Sequence, residues 1–473
     1  MPRQEEESTG EGGYDAIAHW RDKVPSSVCR LFFRSRSAAS TLITAGAITL
    51  AIATSAAAAP GDLDTSFGQG GHAIVQLNER CLNHCARFMG SYADALAVEG
   101  NGGIVLGGWE SPGPAPGQPQ AALARLDSDG TVDQSFAMIG PASRAAFRIT
   151  HLYLLPAGDV LALGEAEDGR VGLERYSASG QLDPSFGSSG LRFLDTPPGT
   201  VQEARDAAGR IDVLARSATR IIAMRFLPSG ALDRGFGVRG VSSLPTARQA
   251  EPIALTTVQG GGVVLAISID GSSPAAATKL LVARLTPAGR LARWFGHGGF
   301  ASVPIARPVP SAVIAVEPSQ RIDVATGEDP GPGGDLVLLR YMRSGRLDRS
   351  FGIGGVAHGV IPGVEPSYGS VNARAITLDG RGDVIVAGER HFNRVDSRRG
   401  VGFLARYTPS GRDCSFGSAG VVSDSEVGAA TATELEPDGR ILIAGWSNNA
   451  FLAARYEGGG TPHTCAGEPH LPH

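Results

Sequence analysis

Five side chains stand at one repeated position, immediately after the glycine or alanine-glycine that ends a short apolar stretch: Trp109, Glu165, Glu328, Glu389 and Trp446. Two indoles and three carboxylates at equivalent positions suit a stacking platform ringed by hydrogen-bond acceptors, the chemistry that holds a sugar or a peptide. Two carboxyl groups about 5 to 10 Å apart would also suit glycoside cleavage. A residue beside a strand end more often packs between elements, so packing of both tryptophans is the competing expectation. Nothing else reads as a reaction centre. The chain has no H-E-x-x-H, no G-x-S-x-G elbow and no phosphate-binding loop, and its ten histidines are scattered. "DSDGTVD" (Asp127, Asp129, Asp133) reads as a hairpin turn rather than a calcium loop, because the equivalent stretches lack its extra acids. "RGD" from Arg381 aligns with plain turns elsewhere, and the glycines of "GIGGVAHG" open no helix. No catalytic residue, metal or cofactor is expected.

These five positions need elements that bring them to one face, and the sequence supplies a repeat. "GDLDTSFGQGG" at Gly61 recurs, altered, at Gly130, Gly180, Gly230, Gly289, Gly345 and Gly411. Its aromatic ring never changes: Phe67, Phe136, Phe186, Phe236, Phe295, Phe351, Phe416. An apolar stretch carrying arginine before Leu, Tyr or Phe also occurs seven times, at Arg125, Arg175, Arg225, Arg284, Arg340, Arg406 and Arg455. A third phrase, such as "GGIVLGG", "GRIDVLA" or "GRILIAG", precedes each arginine stretch, and a further strand such as "DALAVEG" or "ARAITLDG" precedes that. Four short strands per unit, joined by turns drawn from 65 glycines and 30 prolines, read as propeller blades. The first "LD-SFG" copy has no arginine strand before it, and the last arginine strand has no such copy after it. An open solenoid would need polar caps instead. The reading is therefore an all-β, seven-bladed propeller over 60–456, its ring closed by N- and C-terminal segments sharing one blade.

The pattern G-x-L-D-x-S-F-G-x-x-G with its upstream arginine strand resembles the delta-60 repeat, a bacterial β-propeller family of unknown function. The resemblance implies the propeller fold and an exported bacterial protein, and carries over no catalytic residues.

Residues that recur in every unit are expected to build blades. Each Phe buries apolar area between neighbours, worth about 2 kcal/mol or more. The motif Asp accepts turn amides and pairs with the arginine strand: Arg125 with Asp133, Arg175 with Asp183, Arg225 with Asp233, Arg340 with Asp348. The fourth unit, with Ala292 in place of Asp, breaks that pattern.

The remaining expectations concern where the chain works. Residues 1–59 form an extension and a secretory signal, with Arg30, Arg34 and Arg36, an apolar stretch and an alanine-rich end. Residues 457–473 are a tail. A secreted, periplasmic or cell-surface location follows, with no membrane span after cleavage. Of five cysteines Cys29 lies in the leader; Cys81 with Cys85 and Cys414 with Cys465 are the expected disulfides, with zinc on "CLNHC" the disfavoured alternative. A net charge of −5 argues against nucleic acid. The connection between the third-phrase strand and the arginine strand varies most, so its face is where an extracellular ligand (glycan, peptide or protein) would meet a monomeric disc. The functional classes are a binding or adhesion module, a glycan hydrolase or lyase, and a purely structural surface protein.

Overall fold

The computed structural model describes residues 58–465, apart from 78–89, 112–118, 137–146, 198–199, 218–219, 247–249, 270–277, 306–308, 310, 328–334, 362–369, 392–399, 461 and 463. The leader, Cys29, the Cys81–Cys85 loop, Glu328 and most of the variable connections therefore lie outside the described residues.

The chain forms a seven-bladed β-propeller. Period-two alternation with dense turn chemistry makes each repeat an antiparallel meander, and blade faces bury against one another. Blade 1 holds Gly90–Val98, Ile104–Ser111 and Gln120–Leu126, with three described strands. Blades 2 to 5 each order four strands from the channel outward; their innermost strands are Phe147–Leu154, Thr200–Arg205, Ala250–Val258 and Ala312–Val316. Blade 6 begins at Ser370–Leu378, and its third strand also pairs the two-residue Gly411–Arg412. Blade 7 runs Ala429–Leu435, Ile441–Ser447, Ala450–Tyr456, and its outermost strand is His72–Val75 from the start of the ring. His72 pairs with Ala454 and Val75 with Phe451, so the predicted closure is present in register.

The recurrent residues act as one fastening at each blade. In the first repeat the two oxygens of Asp64 divide the work. Oδ1 accepts from the Ser66 N–H and hydroxyl, closing the turn, while Oδ2 accepts from Arg455 at 2.8 Å. The same division recurs at Asp133, Asp183 and Asp413, whose arginine contacts are 2.5–2.7 Å. Six of the seven guanidiniums also lie 4.5–5.4 Å above their motif Phe ring, a cation–π contact. Five reach further, donating Nη1 to a backbone carbonyl in the next blade's turn. Six of the Phe rings are buried, and Phe67, Phe236 and Phe416 sit in clusters drawn from two adjacent blades. Phe186 is half-buried.

Two of the expected ion pairs form differently. Arg225 pairs Asp212 at 2.8 Å, and Arg340 pairs Asp323 at 2.7 Å, instead of Asp233 and Asp348. Both aspartates lie directly across the strand from their arginine, in the "RID" of the neighbouring strand. A facing cross-strand carboxylate meets the guanidinium without leaving the blade, so it displaces the motif Asp. The freed Asp348 takes Arg321 at 3.5 Å. Cys414 and Cys465 form a disulfide, with Cα atoms 5.0 Å apart, tying the seventh motif copy to the tail. Among the described residues no helix is long and apolar enough to cross a membrane.

Candidate functional site: the central channel

The innermost strands of all seven blades enclose a central cavity of ≈ 940 Å³. Its wall is uneven. Blades 4 and 5 present small or aliphatic side chains such as Ala254, Leu255, Val313 and Ile314, whereas blades 6, 7, 1, 2 and 3 present aromatic and charged ones.

Local backbone explains that polarity. In blade 1 the register slips between Ala93 and Ala95, leaving Asp94 as the extra residue of a β-bulge; Thr150, Arg374 and Thr431 are the extra residues in blades 2, 6 and 7. A bulge re-aims a side chain that the pleat would otherwise bury between blades, and all four line the cavity. The partner strand must make room for it. A Cβ on Gly108 would stand 1.9 Å from the Tyr92 carbonyl oxygen, and one on Gly445 1.8 Å from that of Ala429. In these two blades the strand-ending glycine that flagged Trp109 and Trp446 thus lies under the carbonyl beside the bulge, whereas the blade 4 bulge forms opposite Ala266 and Ile267.

Trp109, Trp446 and Glu389 all line the cavity. The Trp109 and Tyr92 rings stack at 4.5 Å, and Trp446 meets Tyr92 edge-on at 5.7 Å, so two blades that adjoin only through ring closure share one aromatic group. The Arg148 guanidinium lies 4.5 Å from the Trp109 ring centroid. Both indoles are half-buried, so they pack and also face the cavity. Glu165 does not reach the wall, but stands close enough to Glu203 and Arg148 to feel their charges; burial, and then Glu203, raise its carboxyl. Glu328 lies outside the described residues.

The charged members form two clusters. Glu389 accepts from Arg374 at 2.6 Å and Asn372 at 3.2 Å, with His391 Nε2 3.4 Å away. Burial pushes against ionisation, but these hydrogen bonds, His391 and Arg374 foremost, hold its carboxyl near about 2. Asp94, 3.9 Å from Arg148, moves the opposite way: burial pushes it up to about 6, against the pull of Arg148, Arg374 and Trp109. Across the channel Glu203 accepts from the Thr150 hydroxyl and lies 3.6 Å from His151 Nδ1. Burial opposes its charge, yet these partners keep its carboxyl below the usual range. Tyr153, raised by burial and by Glu203, accepts from the Arg205 N–H at 3.1 Å. The sequence reading missed Tyr92, Asp94, Arg148, His151, Glu203 and Arg374. Asp94 and Arg374 lie within stretches it recognised as strands, but nothing in a period-two pattern marks a bulge.

Residues 99–136 and 436–462 match the family model described as a domain of unknown function (DUF5122) beta-propeller. No curated protein matches the chain. Among solved structures the chain is similar to virginiamycin B lyase from Staphylococcus aureus, at 14% identity over 78% of this chain and 94% of that one, TM-score 0.44. It is also similar to the BP39L lectin from Burkholderia pseudomallei, at 15% identity over 78% and 97%, TM-score 0.45. At that level of likeness neither protein's chemistry bears on this channel.

Proposed function

We propose that this propeller is an exported binding module that takes a glycan at the mouth of its channel. One observation supports the reading: Tyr92, Trp109 and Trp446 converge from two blades onto a cavity whose adjoining wall alternates Arg, Asp, Glu and His. A pyranose has an apolar face that stacks on such rings and hydroxyls that satisfy paired charges around it. The terminal disulfide and the sequence's signal-like leader support work outside the cytoplasm. A glycan array read with the exported chain tests this. Wild type should give saturable signal on a subset of glycans, and Trp109→Ala should abolish it while retaining the far-UV spectrum. Binding confined to peptides would redirect the ligand class, and unchanged glycan signal in Trp109→Ala would refute the site.

The opposed pKa shifts at Asp94 and Glu389 favour one second reading, a glycan hydrolase or lyase. A carboxyl pushed up to about 6 beside one that stays ionised is the division of labour that acid–base cleavage uses. Release of reducing ends from a bound array glycan, lost in Asp94→Asn, would select it; binding without release selects the module.

A further inference from the structure

The fourth blade departs from the other six at the outer fastening, whose residues do not line the channel. There the motif Asp is replaced by Ala292, which is buried, and the residue facing Arg284 across the strand is Val264. Neither of the two carboxylates that serve the other arginines exists. Arg284 is nevertheless retained and 6% exposed. Its Nη2 donates to the Gln320 side-chain oxygen, while its Nη1, the atom that in five other blades donates to the next blade's turn carbonyl, is buried with no hydrogen-bond partner among the described residues. The motif serine is also replaced, by Trp294, which is 52% exposed. Trp294 has two cations about it: Arg284 at 5.1 Å and Arg343, an exposed residue of the next blade, at 5.6 Å. A buried guanidinium without its anion is costly, and a second cation beside it adds to the cost. Burial and then the Arg343 charge accordingly depress the Arg284 guanidinium.

We propose that blade 4 carries a second ligand site, in which a carboxylate brought by the ligand supplies the anion that Arg284 lacks, lying between Arg284 and Arg343 with Trp294 at its edge. The chemistry is the one the other blades supply internally, a carboxylate on a guanidinium fork. Two sources can deliver it, an acidic sugar or an acidic peptide. The site is independent of the channel reading.

Calorimetric titration of the exported chain with sodium glucuronate and with acetyl-aspartyl-glycine amide tests it, using glucose and acetyl-asparaginyl-glycine amide as uncharged counterparts. At least one carboxylate should bind, its uncharged counterpart at least tenfold more weakly; which one binds names the source. Ala292→Asp, which restores the residue present in the other copies, should abolish that binding and raise the melting temperature. Arg343→Gln, at an exposed position, should weaken it at least tenfold, and decides the matter should Ala292→Asp fail to fold. Trp109→Ala should leave it intact. No binding of either carboxylate, equal binding of the uncharged counterparts, or full binding to Arg343→Gln would overturn the proposal.

Discussion

The outer fastenings and the channel wall are built from the same seven repeats, and they treat repetition in opposite ways. At the outer edge the blades agree: an arginine, a carboxylate and a phenylalanine recur, and where the motif carboxylate is not used another stands directly across the strand. At the channel they disagree. The bulge residue that lines it is Asp94, Thr150, Arg374 or Thr431 depending on the blade, while the blade 4 bulge residue, Ile253, is buried in the core instead. A position that every blade needs for closure serves the ring, and a position free to differ under the same backbone is where the proposed ligand site lies. Blade 4 shows what happens when the rule is broken at the outer edge, because there the repeated arginine is left without its anion.

The sharpest way to break the comparison is to remove an outer arginine. Arg340→Ala leaves the buried Asp323 without its directly bonded cation, while Glu317 keeps Arg321 at 2.8 Å, and should cost about 3–5 kcal/mol. Arg284→Ala, which strands no carboxylate, should cost markedly less; equal losses in urea unfolding would sink the ion-pair account. Next in size, Gly445→Ala drives a methyl into the Ala429 carbonyl and should cost about 1–3 kcal/mol. It should also displace Thr431 and lower glycan binding, linking the glycine to the channel; a silent substitution would separate the two. Trp109→Ala should be smaller in stability, about 1 kcal/mol from the lost stack on Tyr92, measured by the same unfolding curves.

The last effect concerns pH. Asp94 has its folded pKa raised to about 6 from 3.8, so the folded state holds that proton more tightly, and stability is lost as pH rises from about 4 to 6. Asp94→Asn removes the effect, so its melting temperature should gain on wild type by roughly 2 °C or more between pH 4 and pH 7. Glu389, held near about 2, acts oppositely: its stabilisation is present above its ordinary 4.5 and fades as pH falls toward 2. A pH-independent difference between Asp94→Asn and wild type would contradict the half-buried, proton-holding Asp94.

The contrast also explains what could be read in advance. Blade number and ring closure were legible because both rest on repetition, which needs no geometry to detect: Phe67 and Arg455 each lacked what the other supplied. The ion pairs were half legible. Counting along the chain finds Asp133 for Arg125, but Asp212 and Asp323 win by standing opposite their arginines, and that depends on register. At the channel, Trp109, Trp446 and Glu389 were visible because each follows the strand-ending glycine. Asp94 and Arg374 were not, since a bulge moves one residue out of the alternation that sequence reading relies on. The glycine opposite was the available signal, had it been read as room for a carbonyl rather than as a strand end.

The central claim, that the outer edge holds the ring while the channel holds the ligand, is tested most directly by measuring glycan-array signal and melting temperature in parallel on two variants, Trp109→Ala and Arg455→Met. Arg455→Met should melt well below wild type yet, read at low temperature, keep its array signal. Trp109→Ala should melt close to wild type and lose the signal. Loss of signal in both, or retention in Trp109→Ala, would contradict the division of labour.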